Sequence, residues 1–229
     1  MAQKPISTYT LTMSHVAGPR AYSRAEYLSD AAIHVLGIAF ALVAGPALVA
    51  IAAIRIGDVA TIMAVSLYAM SLLAMLTCSG LYNMIRAPDW ADRLRRLDQT
   101  AIYFKIAGTY TPLVILFPGS PGFLAGIWTV AIGGALLIGF STRNLTPVAI
   151  VLYLGLGWAG VALGHPMIEG LSAQGAVLVT TGGVLYSAGI AFLLWHRLPF
   201  HNTIWHVFVL AATAACYAAI ALELLTRTP

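Results

Sequence analysis

Apolar residues run along this chain in long unbroken stretches, without the polar stripe of a soluble helix or the alternation of a half-buried strand. Seven stretches stand out, at about Ala31–Ile54, Ala60–Tyr82, Thr100–Phe117, Phe123–Phe140, Thr146–Leu163, Ala173–Trp195 and Thr203–Leu225. Each is close to the roughly 20 residues that carry a helix across about 30 Å of hydrocarbon, and none has the ten-residue alternation of a barrel strand. Turn formers separate them: Pro88 and Asp89, the run Pro118–Pro121, Pro166, and Pro199. The pattern predicts an all-α membrane protein, a seven-transmembrane helix bundle over residues 30–226 preceded by an N-terminal segment over 1–29. That segment has no apolar core followed by a small-residue cleavage site, so the first span is expected to act as the targeting signal.

Composition supports this and removes the soluble classes. Sixty per cent of the 229 residues are hydrophobic and 9% are charged, against about 25% charged in a soluble domain. A cytosolic enzyme, a nucleic-acid-binding domain, a disordered chain and a disulfide-stapled secreted module are all excluded. Cys78 and Cys216 both fall within apolar runs and read as free thiols.

Charge sets the orientation. With a cytoplasmic N-terminus, the inner segments hold Lys4, Arg20, Arg24, Arg86, Arg93, Arg95, Arg96, Arg143 and Arg197, and the outer ones only Arg55 and Arg227. This positive-inside bias predicts that the chain starts in the cytoplasm and, after seven crossings, ends outside. The scattered cations form no nucleic-acid stripe, so no nucleic acid is expected as partner; a membrane lipid is. The glycines of the later runs, among them Gly126, Gly133, Gly155, Gly157, Gly160, Gly182 and Gly189, read as small residues for close helix packing.

Ionisable groups are costly in a bilayer, and they collect here at particular helix ends. Glu26, Asp30 and His34 are spaced by four on the start of span one. Ser79 and Asn83 share a face at the end of span two, Asp98 opens span three with Lys105 two turns deeper, and Asn202 and His206 begin span seven. With the orientation above, all of these ends are cytoplasmic, and one converging polar site is the economical explanation. The plainer readings are N-caps for Asp30, Asp98 and Asn202, neutral buried donors for His34 and His206, and an ion-paired or snorkelling Lys105 reaching toward Asp98 or a neighbouring carboxylate. His165, His196 and His201 lie at rims, and Trp90, Trp128, Trp195 and Trp205 near span ends, as interfacial belts do.

The same positions carry a resemblance. Ser79-Gly-Leu-Tyr-Asn83, the run from Leu97-Asp98 through Ala107-Gly-Thr-Tyr-Thr-Pro112, Gly182-Gly-Val-Leu-Tyr186, and Asn202-Thr-Ile-Trp-His206 together resemble the hemolysin III family. These are bacterial members of the progestin and adipoQ receptor superfamily, and the likeness runs from about Tyr22 to Leu225. It implies seven spans, a multi-pass protein of the bacterial cytoplasmic membrane, and a zinc ion held by one histidine of span two and two of span seven. A serine and an aspartate would lie beside the metal, in an arrangement similar to membrane-embedded lipid amidases. Residue by residue, the serine falls on Ser79, the aspartate on Asp98 and the last histidine on His206; the other two ligand positions fall on Asn83 and Asn202. Asparagine is a poor zinc ligand beside imidazole. Two outcomes stay open: a metal-free hydrogen-bonded core, or a ligand set rebuilt from His206, Asp98 and the stripe Glu26, Asp30 and His34, suited to zinc or another divalent metal.

Three function classes follow: a metal-dependent hydrolase of a lipid amide or ester, a non-catalytic sensor of membrane lipid, and, well behind them, the pore that the family's name implies. Spans four to six offer almost no polar stripe to line a water path. Span seven has no lysine for a retinal Schiff base.

Overall fold

The computed structural model describes residues 23–85, 88–117 and 121–227. Lys4, Arg20, Arg86 and residues 118–120 lie outside the described residues, as do the side chains of Pro121, His165 and Pro166. The helices are α1 (Arg24–Arg55), α2 (Val59–Met84), α3 (Ala91–Leu116), α4 (Pro121–Phe140), α5 (Thr146–Leu163), the short α6 (His165–Gly170), α7 (Ala173–Leu194) and α8 (His201–Thr226). A 3-10 turn, Pro88–Trp90, leads into α3, and no strand occurs among the described residues.

Six of these helices, all but α3 and α6, are long and apolar enough to cross a membrane. The burial pattern is that of a lipid-solvated bundle. Val43, Ile54, Phe140, Val151 and Leu163 turn outward, whereas Glu26, Asp30, His34, Lys105, His206 and Glu223 are buried. In water this arrangement would sacrifice both the hydrophobic effect and the hydration of charge; in hydrocarbon it satisfies both. α3 is more polar, and it lies among the others, packing on α2, α4, α5 and α8. Its inward side carries Tyr103, Lys105, Tyr110 and Thr111, all buried.

Several ends are set by local chemistry. Ser23 caps α1 in a reciprocal box: its hydroxyl accepts from the Glu26 amide while the Glu26 carboxylate accepts from the Ser23 amide. Asp58 caps α2 and Ser172 caps α7. The α1–α2 turn passes through Gly57 at φ +77°, a left-handed conformation that glycine adopts without steric cost. The glycine expectation is met in part. A Cβ at Gly160 would lie 2.7 Å from the Tyr110 ring, and one at Gly182 would lie 2.7 Å from the Cys216 sulfur, so these are close approaches. At Gly126, Gly133, Gly155 and Gly157 a Cβ would meet nothing within 4 Å, so no close approach requires glycine there.

The helices begin earlier than the apolar runs suggest, because polar residues extend the first turns of α1 and α3. This overturns the capping readings. Asp30 is six residues past the start of α1 and Asp98 seven past the start of α3, so neither sits at a helix terminus. Asn202 lies within the first turn of α8, and its side-chain amide donates to two other helices. Among the tryptophans, Trp90 and Trp195 are exposed at helix ends, but Trp128 donates to Thr111 inside the bundle and Trp205 lines an internal cavity.

Candidate functional site

α1 supplies three acidic and basic side chains at successive turns of one buried face, and each meets a different part of the bundle. Glu26, outermost, accepts from the backbone amide of Phe200 at 2.9 Å. Phe200 is in the left-handed region at φ 59°, which is costly for a bulky residue, and this bond helps to hold the strained entry into α8. Glu26 therefore anchors the α7–α8 connection.

One turn deeper, Asp30 joins α1 to α8. Its Oδ1 lies 2.6 Å from His206 Nδ1, and its Oδ2 accepts from Asn202 Nδ2 at 3.1 Å. The same Asn202 amide reaches Asn83 Oδ1 at 3.0 Å, while Asn83 Nδ2 donates to the carbonyl of Ser79 at 2.9 Å. The two asparagines thus bridge α2 and α8 directly.

His34, one further turn along α1, faces α2 and α8. Its Nδ1 lies 2.8 Å from the Asp30 carbonyl, an oxygen that can only accept, so Nδ1 carries a proton. In the neutral ring Nε2 then holds the lone pair, and the Ser79 hydroxyl lies 3.3 Å from it. The His34 and His206 rings meet edge to face with centroids 4.3 Å apart. Asp30, His34 and His206 each present one ligand atom, all within 4.8 Å of one another and all on buried residues.

A cavity of about 150 Å³ begins beside this cluster. Ser79, Asp98 and His206 line one end; Lys105 and Tyr186 stand farther in; Tyr110, Leu113 and Trp158 are among the remaining wall. Asp98 is half-buried and faces Ser79 and His206 there. Of the sequence candidates, Asp30, His34, Ser79, Asn83, Asn202 and His206 form one network across α1, α2 and α8. Asp98 joins them at the cavity end, whereas His34 and Asn83 lie behind its wall. Glu26 stands one turn away from the cluster.

Lys105 departs from the expectation. Its ammonium donates to the Tyr186 hydroxyl and lies over the Tyr186 ring, and it does not reach Asp98. Tyr186 in turn shares a 2.7 Å hydrogen bond with Thr213 of α8. Sequence reasoning passed over Tyr186 and Thr213 as chemistry. A signal was available for the second, since Thr213 lies seven residues after His206 and so on the same helix face. Glu223, also unnoticed, is buried at the opposite end of α8 and accepts from the Ser172 amide and hydroxyl at the start of α7.

The donor set suits a divalent metal. One carboxylate and two imidazoles are a common ligand complement for zinc, manganese or iron, and the Nδ1–carbonyl bond of His34 gives its ring the orientation seen in metal-ligating histidines. The zinc positions implied by the resemblance are a different matter. Two of them hold the mutually bonded pair Asn83 and Asn202, while Asp30 and His34 of α1 stand beside His206.

The chain is 36% identical over 200 residues to Hemolysin-3 of Bacillus cereus, covering 85% of this chain and 90% of that protein. It is 34% identical, also over 200 residues, to the Hemolysin-3 homolog of Bacillus subtilis (strain 168). A more distant likeness, 29% over 168 residues and 67% of each chain, is to the monocyte to macrophage differentiation factor of Homo sapiens. The family model described as Haemolysin-III related matches residues 25–217, which takes in every residue of the network and the cavity. With identity above 30% along most of its length and that match over nearly all of its helices, this chain belongs to the haemolysin-III related family.

Proposed function

We propose that the protein is a seven-crossing enzyme of the bacterial cytoplasmic membrane that hydrolyses a lipid amide or ester at a metal site rebuilt on Asp30, His34 and His206. The observation that carries this reading is the meeting of those three ligand atoms, within 4.8 Å, beside a cavity that His206, Ser79 and Asp98 line. α3 is the seventh crossing: its 26 residues are long enough, and its polar side is sheltered by the surrounding helices. The N-terminus then lies in the cytoplasm and the C-terminus outside, with Arg93, Arg95, Arg96, Arg143 and Arg197 on the inner side.

A divalent ion held there supplies Lewis acidity toward a lipid carbonyl and toward water. Asp98, facing the same end of the cavity, accepts the proton that an attacking water gives up and returns it to the departing amine or alcohol as the carbonyl bond to it breaks. Ser79 donates or accepts at the oxygen beside it, its hydroxyl being already directed toward His34. The cavity wall of Ile102, Ile106, Leu113 and Val209 receives the acyl chain and keeps bulk water away.

The test is elemental analysis of the purified protein together with release of fatty acid from a lipid amide. Wild type should retain close to one metal per chain, and Asp30→Ala and His206→Ala should lose it along with turnover. Asp98→Asn should keep the metal and lose turnover. A wild type that binds no metal, or that turns over equally without it, overturns this reading.

A second reading has its own support. The Asp30 carboxylate is already engaged by His206 and Asn202, a closed network that holds together without an ion. A lipid sensor using the same cavity would bind lipid, lack turnover, and be indifferent to chelators. The cytolytic activity in the name of the Bacillus cereus relative finds less support, since α4, α5 and α7 carry no charged residue to line a water path.

A further inference from the structure

Lys105 is the cation that the chemistry above does not use. It lies fourteen residues into α3, about 21 Å along the helix and so near the middle of a bilayer. It is 3% exposed. A lysine at such depth normally pairs with a carboxylate. Among the described residues no carboxylate lies within ion-pair distance; its partners are the Tyr186 hydroxyl and ring. An ammonium has three protons to donate, and Tyr186 takes one. Tyr68 on α2, wholly buried in the same neighbourhood, leaves its hydroxyl without a partner. Lys105 and Tyr186 both line the cavity, so the remaining protons of the Lys105 ammonium lie where a ligand can reach them.

The cavity also limits what can come. By the measure in which one water takes roughly 10–15 Å³, about 150 Å³ has room for roughly ten to fifteen water-sized groups. That is most of one alkyl chain and much less than two. Asp98 at the other end repels a second negative charge, which places an acidic head at Lys105 and away from the metal cluster. α5 and α7 contribute Leu154, Trp158, Val179 and Gly183 to the wall, and Trp158 donates to Ser187 across the two helices.

We infer that Lys105, with Tyr186, forms a carboxylate subsite deep in the cavity, which holds a single-chain lipid with an acidic head at a position separate from the Asp30–His34–His206 cluster. This rests on the reading of the cavity as a lipid site but requires neither a metal nor turnover.

The experiment uses the full chain in a neutral detergent at mildly alkaline pH. Dibrominated stearate and the matching dibrominated stearyl alcohol are titrated, and quenching of tryptophan fluorescence is followed. Trp158 and Trp205 lie in the cavity wall, so Trp158→Phe with Trp205→Phe identifies the cavity signal. Wild type should bind the acid about 10- to 100-fold more tightly than the alcohol, the range expected for charge-assisted hydrogen bonds. In Lys105→Met, which keeps the length of the side chain, the two affinities should become equal through loss of acid binding alone. Lys105→Arg should restore part of the preference. Retained alcohol binding shows that the Met variant is folded.

Equal binding of acid and alcohol by wild type overturns the subsite and leaves the lipid cavity standing. An acid preference that survives Lys105→Met likewise overturns it. If neither probe quenches the cavity tryptophans, the lipid cavity fails and the subsite with it.

Discussion

The carboxylate of Asp30 and the imidazole of His206 approach to 2.6 Å across α1 and α8, although 176 residues separate them along the chain. Both are buried, and the pair joins the first long helix to the last at the depth where His34, Ser79 and Asn202 also converge. One charge-assisted contact thus closes the bundle and orients the ring that lines the cavity. Removing the carboxylate leaves the buried His206 imidazole without its partner and takes one of the two acceptors of the Asn202 amide, at a cost of about 1–3 kcal/mol. We expect Asp30→Ala to lower the thermal midpoint in detergent by several degrees, and Asp30→Asn, which keeps an acceptor oxygen, to lower it less. Equal midpoints for wild type and both variants would show that the contact adds nothing to stability.

The asparagine pair makes a second prediction. Asn83 and Asn202 touch each other and stand one turn from Ser79 and His206 respectively. Replacing both by histidine adds two imidazoles at the positions that the family resemblance assigns to zinc. The double variant Asn83→His, Asn202→His should retain zinc through dialysis against a chelator strength that strips the wild type, and each single variant should fall between them. Identical retention in all four proteins would mean that these positions do not face the metal.

Orientation is open to direct labelling. A thiol introduced as Arg227→Cys should react with a membrane-impermeant maleimide added outside the cell, and one introduced as Arg95→Cys should react only after permeabilisation. Cys78 and Cys216, free in the wild type, set the background. The reverse pattern would place the polar cluster at the outer leaflet.

A fourth prediction concerns the far end of the bundle. A Cβ at Gly175 would lie 2.0 Å from Glu223 Oε1, so Gly175→Ala must displace the carboxylate that accepts from the Ser172 amide and hydroxyl. The expected outcome is a loss of about 1–3 kcal/mol from the unpaired buried charge, with the metal content unchanged. Glu223→Gln, which keeps an acceptor without a charge, should cost less. A Gly175→Ala protein as stable as wild type would show that the α7 end can relax around the methyl group.

How much of this was legible beforehand differs by residue. The stretches that became α2, α5 and α7 could be read almost to the residue, because a membrane demands a near-constant apolar length and the turn residues mark where it stops. α1 and α3 could not be bounded so well. Their first turns are polar, and an apolar-run reading discards Arg24 to Asp30 and Ala91 to Gln99, which are nonetheless helical. α3 is less apolar than the other long helices, and burial by its neighbours keeps Lys105 and Tyr110 from lipid.

At the site, residue spacing alone shows that charged and polar side chains collect at particular helix ends. Bilayer energetics allows few of them, and spacings of four place Glu26, Asp30 and His34 on one face of α1, as they do Ser79 with Asn83 and Asn202 with His206. Which of them meet depends on how the helices pack. Helical spacing fixes direction around one axis and says nothing about the rotation of one helix against another. Asp30 could therefore have capped its own helix, yet it bonds His206. Lys105 could have turned back two turns to Asp98, yet it lies against Tyr186. Glu26 shares a face with the cluster but is drawn off by the Phe200 amide, an interaction created when the α7–α8 connection folds over the start of α1. The partners of a buried charge lie on other helices, and packing chooses them.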